Sequence, residues 1–349
     1  MSNEADKLLA VTDAQLSSAY QWLYQQRKHF PANADSWVLR RNWVANRGQL
    51  LQQINRGDYV FSPLKRMTKQ NGQTINLWSS QDALVMKALT EILQPQLNLS
   101  KSCMHIKGHG GLKKCVSKVQ THLSEYQFVF KTDVKHFYET IDHVILSEQI
   151  HQQIENKILK RYLWQVIRRT VEYGGNYQEI TKGISRGCSL SPILGGLYLS
   201  ALDDQLSQNK NVVYLRYMDD ICIMSKTRWH LRTAIKQLNQ QFNALKVEQH
   251  PDKTFIGRIE KGFDFLGYHF SREPLQLANT TVRRHVERLH QLYEQQNRKK
   301  ATSQEMTFIL GEYVKRWQRW CTAGLSEVRL QVGLYSDVKN PLIRVVLSP

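Results

Sequence analysis

The spacing of apolar residues changes several times along this chain, and each change marks an element. Up to residue 57 the apolar positions recur at helical intervals, through LSSAYQWLY and again through WVANRGQLLQQI, with Pro31 and the polar PANADS between the two runs. From 59 to 80 the pattern becomes short and β-like, and Asn71-Gly72 within YVFSPLKRMTKQNGQTINLW predicts a basic hairpin carrying Lys65, Arg66 and Lys69. HIKGHGGLKKCVSKV, residues 105–119, reads as a glycine-rich loop opening into a helix with a basic first turn. Glycine lets backbone approach a ligand and a helix N-terminus attracts phosphate, although a plain connection fits the same residues and His109 alone reads as structural.

In YQFVFKTD, Phe128 and Phe130 alternate against Val129, Lys131 and Asp133, so Asp133 ends a strand and points away from an aromatic core. Alone, such an aspartate is a cap or turn residue. Long helices are expected next, then a glycine-rich loop and helix start in GISRGCSLSPILGGLYLSALD, residues 183–203. There Ser191 is the expected cap, Pro192 the first helical position, and Leu194, Leu197 and Leu202 the apolar face. VVYLRYMDDICIMS, residues 212–225, is a strand-turn-strand interrupted by Asp219 and Asp220. Beyond it, Leu231, Ala234, Ile235, Leu238, Phe242 and Leu245 trace a helical stripe. HPDKTFIGRI gives a turn and strand with Lys253, GFDFLGYHF another hairpin, and residues 280–321 return to helices.

Adjacent carboxylates in an apolar run repel and are costly to desolvate, so they persist only protonated or balanced by strong positive charge. No Lys or Arg follows within the next few residues, which makes a metal ion the natural candidate. The element order fits a split βαβ antiparallel sheet with helices on one face, an α+β fold in which the first strand's end neighbours the central hairpin's turn. Asp133 would then meet Asp219 and Asp220.

Charge narrows the partner. The 48 Lys and Arg against 30 Asp and Glu give a net charge of +18 over 349 residues, which favours nucleic acid first and an anionic membrane surface second. No apolar run is long enough to span a bilayer, and MSNEADKLLA lacks a basic stretch followed by an apolar one, so a cytoplasmic protein is expected. Cys103, Cys115, Cys188, Cys222 and Cys321 are scattered without zinc-ligand spacing and read as reduced core thiols.

Taken in order, these residues resemble a bacterial reverse transcriptase of the group II intron-like family over roughly residues 40–320. The resemblance rests on Tyr217-Met218-Asp219-Asp220, Phe130 to Asp142, Gly187 with Ser191-Pro192, Lys253 in HPDKT, and Phe265-Leu266-Gly267, which is similar to a primer grip. It implies a right-hand polymerase: a helical N-terminal extension at 1–58, fingers and palm at 59–272, and a helical thumb at 273–349. It also implies two Mg²⁺ ions, with Mn²⁺ as a substitute, held by Asp133, Asp219, Asp220 and the Val134 carbonyl. Lys253 would serve the departing pyrophosphate. Lys69, Arg186 and Gly187 would contact the dNTP, and Tyr138 would exclude a ribose 2′-hydroxyl. Lys65, Arg66, Lys107, Phe265, Leu266 and Gly267 would contact nucleic acid.

Two positions depart from the family pattern: Ile75 stands where many relatives have Arg, and Arg186 where many have Gln. Arg186 is expected to compensate for the missing cation. The implied partners are an RNA template with an RNA or DNA primer, partner proteins being unknown. The chain ends near Pro349 without room for DNA-binding and endonuclease modules, so a free-standing enzyme is expected, similar to those that act in antiphage defence with a dedicated noncoding RNA. The alternatives are a splicing or RNA-binding cofactor, against which the intact acids argue, and an RNA-dependent RNA polymerase or untemplated nucleotidyl transferase. Tyr138 argues against ribonucleotide use.

Overall fold

The computed structural model describes residues 9–68, 72 and 74–325. Its elements run α1 (Asp13–Arg27), α2 (Asp35–Arg56), β1 (Leu64–Thr68), β2 (Thr74–Leu77), α3 (Ser80–Leu93), α4 (Gly111–His122), β3 (Phe128–Asp133), α5 (Phe137–Thr140), α6 (His143–Gln153), α7 (Lys157–Ile167), β4 (Thr170–Tyr173) and β5 (Asn176–Glu179). They continue with α8 (Ser191–Tyr198), α9 (Ser200–Ser207), β6 (Val212–Tyr217), β7 (Asp220–Ser225), α10 (Arg228–Ala244), β8 (Phe255–Arg258), β9 (Phe263–Phe265), β10 (Tyr268–Phe270), β11 (Gln276–Leu277), α11 (Asn279–Arg298) and α12 (Ser303–Thr322). The chain forms two compact units: one of residues up to Ile106 with Val134–Gln205 and Leu238–Gln249, the other of Lys107–Asp133, Leu206–Gln237 and residues from His250 onward.

In the first unit, α1 starts because Thr12 and Gln15 cap each other's backbone N–H groups, and α2 stops at Gly57, whose φ of 85° is left-handed. Tyr20 of α1 stacks on Trp43 of α2 with ring centres 4.2 Å apart. The β1–β2 hairpin forms as expected, pairing Lys65 with Leu77 and Thr68 with Thr74, while Lys69 and Asn71 of its turn lie outside the described residues. It belongs to a four-stranded sheet ordered β2-β1-β4-β5, closed by a parallel β1–β4 pair. That sheet corrects the expectation of long helices alone between the Asp133 strand and the glycine-rich loop, since β4 and β5 follow α6 and α7 there. TVEY and NYQE form a second hairpin because Gly174-Gly175 between them takes φ of 58° and 83°, a turn conformation that glycine adopts without steric cost. At α8 the expected cap shifts by one residue. Leu190 is the N-cap, Ser191 and Pro192 occupy the first turn, and the Ser191 hydroxyl donates to the Ser185 carbonyl rather than capping the helix.

The second unit holds an antiparallel sheet ordered β6-β7-β3-β8. Its central strands are buried on both faces, since the neighbours Val129 and Phe130, and Cys222 and Ile223, are all fully buried, and burying a Val, Ile or Phe side chain contributes about 1.5–3 kcal/mol. Helix α4 packs against β6, starting from Gly110 at φ 116°. One of the two lysines of its first turn is spent internally, since the Lys113 ammonium donates to the Tyr268 hydroxyl and to the Trp320 carbonyl at the end of α12. A second, three-stranded sheet ordered β11-β10-β9 adjoins α11 and α12. Those helices share the core Leu289, Met306, Leu310 and Val314. Trp320 leaves this core and stacks instead on Tyr268, with ring centres 5.9 Å apart. All five cysteines are buried and unbridged, and no helix among the described residues is long and apolar enough to cross a membrane.

Candidate active site

Strand register brings the acids together in the second unit. β3 and β7 are antiparallel, and their last pair sets Asp133 directly opposite Asp220, while Tyr217 of β6 faces Asp220 from the other side. Only Met218 and Asp219 connect β6 to β7, so Asp219 sits on the turn. Like charges directly opposed across strands destabilise a sheet. The electrostatics register this cost. Burial, then Asp219, then Asp133 push the Asp220 carboxyl up to about 7, while Lys253 and Lys131 pull the other way.

Lys253 enters from the short turn before β8. His250 N–H donates to the Asp133 carbonyl at 2.8 Å, and the Lys253 ammonium reaches Asp133 Oδ2 at 2.8 Å. Its own pKa rises, first through that hydrogen bond. Thr254 and Thr132 join hydroxyls at 2.7 Å beneath it. Asp133 is 8% exposed and so counts among the buried polar residues.

Two cations here were not singled out from sequence. Lys131 shares Asp133's face of β3. Arg216 is fully buried, and its guanidinium donates to the Met218 carbonyl at 2.7 Å, which pins the turn bearing Asp219. The signal was present in VVYLRYMDD: an arginine at an inward position of an apolar strand has to be bonded to something. Met218 itself takes φ of 57°. That conformation costs a residue with a Cβ about 1–2 kcal/mol, strain of a kind that gathers at functional turns.

Among the described residues no three acid, His or Cys groups already converge on one point as ligands. The donor set nonetheless fits a hard divalent cation. It is all carboxylate oxygen, its members repel one another, and Asp133 is satisfied here by an ammonium occupying a cation's place.

The remaining predicted residues divide between the units. Lys107 is exposed ahead of α4 in the second unit. Phe265 is buried beneath the β9–β10 turn, leaving Leu266 and Gly267 partly exposed, with φ of 49° and 86°. In the first unit, Val134 is buried and bridges to Gln249. Lys65 is exposed on β1, and Arg66 bonds Asn76 Oδ1 at 3.3 Å and lies over the Tyr173 ring.

Tyr138 lies on α5, and its carbonyl accepts the Ile184 N–H at 2.7 Å. The glycines that shape this corner are Gly183 and Gly195 rather than Gly187. A Cβ on Gly183 would lie 2.8 Å from the Tyr138 carbonyl oxygen, and one on Gly195 would lie 2.9 Å from the Phe137 ring. Gly187 has φ 76° with open space around it. Arg186 pairs with Glu139 at 3.2 Å, and His136 approaches the same carboxylate at 3.3 Å.

Residues 68–270, more than half of the chain, match the family described as reverse transcriptase (RNA-dependent DNA polymerase). The Escherichia coli protein YkfC is 21% identical over 272 residues, covering 64% of this chain and 71% of that protein. Group II intron-encoded protein LtrA of Lactococcus lactis is 23% identical over 172 residues, 46% of this chain and 28% of LtrA. A COX1/OXI3 intron 2 protein of Saccharomyces cerevisiae is 22% identical over 200 residues, 55% of this chain and 23% of that protein. The chain thus spans about a quarter of these two intron proteins. A solved structure of apo telomerase from Candida tropicalis, truncated from its C-terminal domain, superposes with a TM-score of 0.48 at 13% identity, over 61% of this chain and 54% of that one. The chain belongs to the reverse transcriptase family, the RNA-directed DNA polymerases of right-hand fold, and within it is similar to the group II intron-like proteins.

Proposed function

We propose that this chain extends a primer 3′-hydroxyl with dNTPs on an RNA template, using Asp133, Asp219 and Asp220, with the Val134 carbonyl, to hold two Mg²⁺ ions. The observation that carries the reading is the facing of Asp133 and Asp220 across β3 and β7 with Asp219 on the adjoining turn. Divalent cations held there supply charge neutralisation for the triphosphate and a lowered pKa for the primer hydroxyl. Arg216 fixes the turn so that Asp219 need not be positioned during reaction. Lys253 stands within reach of Asp133 and donates a proton to the departing pyrophosphate or stabilises its charge. Tyr138 excludes a 2′-hydroxyl. Lys69 and Arg186 contact the triphosphate, Arg186 being released from Glu139 to do so. Lys65, Arg66, Lys107, Leu266 and Gly267 contact nucleic acid, Phe265 supports them from beneath, and Gly187 lets the loop approach the nucleotide.

By family analogy the template is a dedicated noncoding RNA, and the setting is antiphage defence in the cytoplasm. The names of LtrA and the yeast intron protein favour a second reading, a cofactor that binds intron RNA. Primer extension by purified protein separates them. With Mg²⁺ and dNTPs on a generic RNA template the first reading expects extension that NTPs do not support and that Asp219→Ala/Asp220→Ala abolishes. RNA binding without extension under every divalent cation tried would leave the second.

A further inference from the structure

The second unit carries a basic groove that the polymerisation site does not use. It is a cavity of about 570 Å³ between the first half of α10 and the edge strand β8. Its floor is apolar, made by Phe128, Leu231, Ile235 and Ile256, the last 60% exposed. Its rim is cationic, made by Arg228, Arg232, Arg258 and Lys261, and no carboxylate lines it.

Its placement removes it from the acids in two ways. Register sets Ile256 opposite Phe130 and Arg258 opposite Phe128, so the groove faces the side of the sheet away from Asp133. Phe128 also begins the strand that Asp133 ends, which separates them by roughly 16 Å along β3. A primer end at Asp133 does not occupy this groove.

The cations are placed where the fold alone disfavours them. Arg228 and Arg232 are like charges one helical turn apart, at the end of α10 where the helix dipole is positive, in a helix with no acidic residue. Among the described residues, Arg258 is the one of the four cations with an ion pair, to Glu260 at 3.2 Å. Arg228 and Arg258 both lie over the Phe128 ring, at 5.8 and 5.9 Å, and Trp229 beside them is 69% exposed. Two guanidinium groups over the one aromatic ring of an open apolar slot suit phosphates and an unstacked base together.

We infer that the groove between α10 and β8 binds a single-stranded stretch of RNA outside the polymerisation site. The bound RNA is held by Arg228 and Arg232 on its phosphates and by the apolar floor on a base. This holds whether or not the chain polymerises.

The test is fluorescence anisotropy of a labelled 20-nucleotide oligouridylate with the full chain, titrated against NaCl, with a short unlabelled RNA–DNA hybrid in excess to fill the polymerisation site. Arg228→Glu/Arg232→Glu is expected to weaken binding at least ~10-fold and to flatten the log–log salt dependence by about 1.4, since each lost single-strand phosphate contact removes roughly 0.7. Arg228→Gln/Arg232→Gln, checked by thermal melting, should give the same direction with less chance of misfolding. Extension of the short hybrid should stay within about twofold of wild type. Unchanged oligouridylate affinity and salt slope in both variants would overturn the inference. So would loss of binding to polyglutamate with oligouridylate binding retained, which would mark a surface for an acidic protein.

Discussion

Two hairpin turns of the second unit, Met218-Asp219 and Leu266-Gly267, both hold a residue with a side chain in the left-handed region, at φ 57° and 49°. Their supports differ. At the first, one buried guanidinium bonds the Met218 carbonyl, and the surrounding carboxylates raise the energy of the arrangement rather than lower it. At the second, the Gly267 carbonyl accepts from Ala278 N–H at 3.0 Å and the Thr281 hydroxyl at 2.9 Å, and the turn rests on the α11–α12 pair. The first turn is arranged around charge that something else must neutralise; the second is arranged around shape. Substitutions in the first should therefore change chemistry more than stability, and those in the second should do the reverse.

The largest effect expected is from Asp219→Ala/Asp220→Ala. Extension should fall at least ~10³-fold, equivalent to about 4 kcal/mol of barrier, while the melting temperature holds or rises because repelling carboxylates are removed. A large fall in melting temperature would break the contrast between the turns. Lys253→Met comes next, with single-turnover extension reduced about 10²-fold, the range of one general acid. Lys253 is 56% exposed on its side chain but Asp133 only 12%, so losing the pair leaves a buried carboxylate without its donor and should cost about 1–3 kcal/mol.

Much of the first turn was legible in the chain. The apolar run of VVYLRYMDDICIMS and the alternation in YQFVFKTD are local, and local pattern is what a sequence displays. GFDFLGYHF was equally plain as a hairpin, but the reason its turn stays in place lies in Thr281 and Ala278, residues of a later element. The β4–β5 hairpin was hidden because four-residue strands following the helical run LKRYLWQVI offer too few positions to show a period of two, though Gly174-Gly175 was a usable signal. Gly183 and Gly195 matter through their approach to α5, which no spacing reveals. For the same reason the sequence exposes Gly187 first, as part of a motif.

The second turn's support is open to pH. His285 on α11 is 2% exposed, stacks on Trp317 at 3.7 Å, and lies with Nδ1 3.2 Å from the Tyr313 hydroxyl. Burial pushes its imidazole down to about 4. Its folded pKa lies below the unfolded value near 6.5, so the unfolded chain takes up a proton that the folded chain refuses. The contribution is therefore complete above about 6.5 and is lost as pH falls toward 4, at most on the order of 3 kcal/mol. Tryptophan-fluorescence melts across this range should show a declining midpoint that His285→Phe flattens. Gly267→Ala should cost about 1–2 kcal/mol: its φ is 86°, and the new Cβ would sit 3.1 Å from Thr281 Oγ1 and 3.4 Å from the Trp320 ring. Extension normalised to folded protein should fall only severalfold.

The smallest expected effect on stability is that of Met218→Gly. Removing the Cβ relieves the left-handed strain of about 1–2 kcal/mol, but glycine also loses more backbone entropy on folding and gives up the methionine's contacts, so the net change should stay within about 0.5–1 kcal/mol. Activity is where the substitution should tell. With a freer backbone, the Arg216 bond to residue 218 fixes the turn less firmly, and Asp219 samples positions away from Asp133 and Asp220. Melting temperature within a few degrees of wild type, with single-turnover extension reduced severalfold, would show that the strain holds a carboxylate in place. An unchanged rate would mean that Arg216 positions the turn alone, and Arg216→Met would then carry the whole loss.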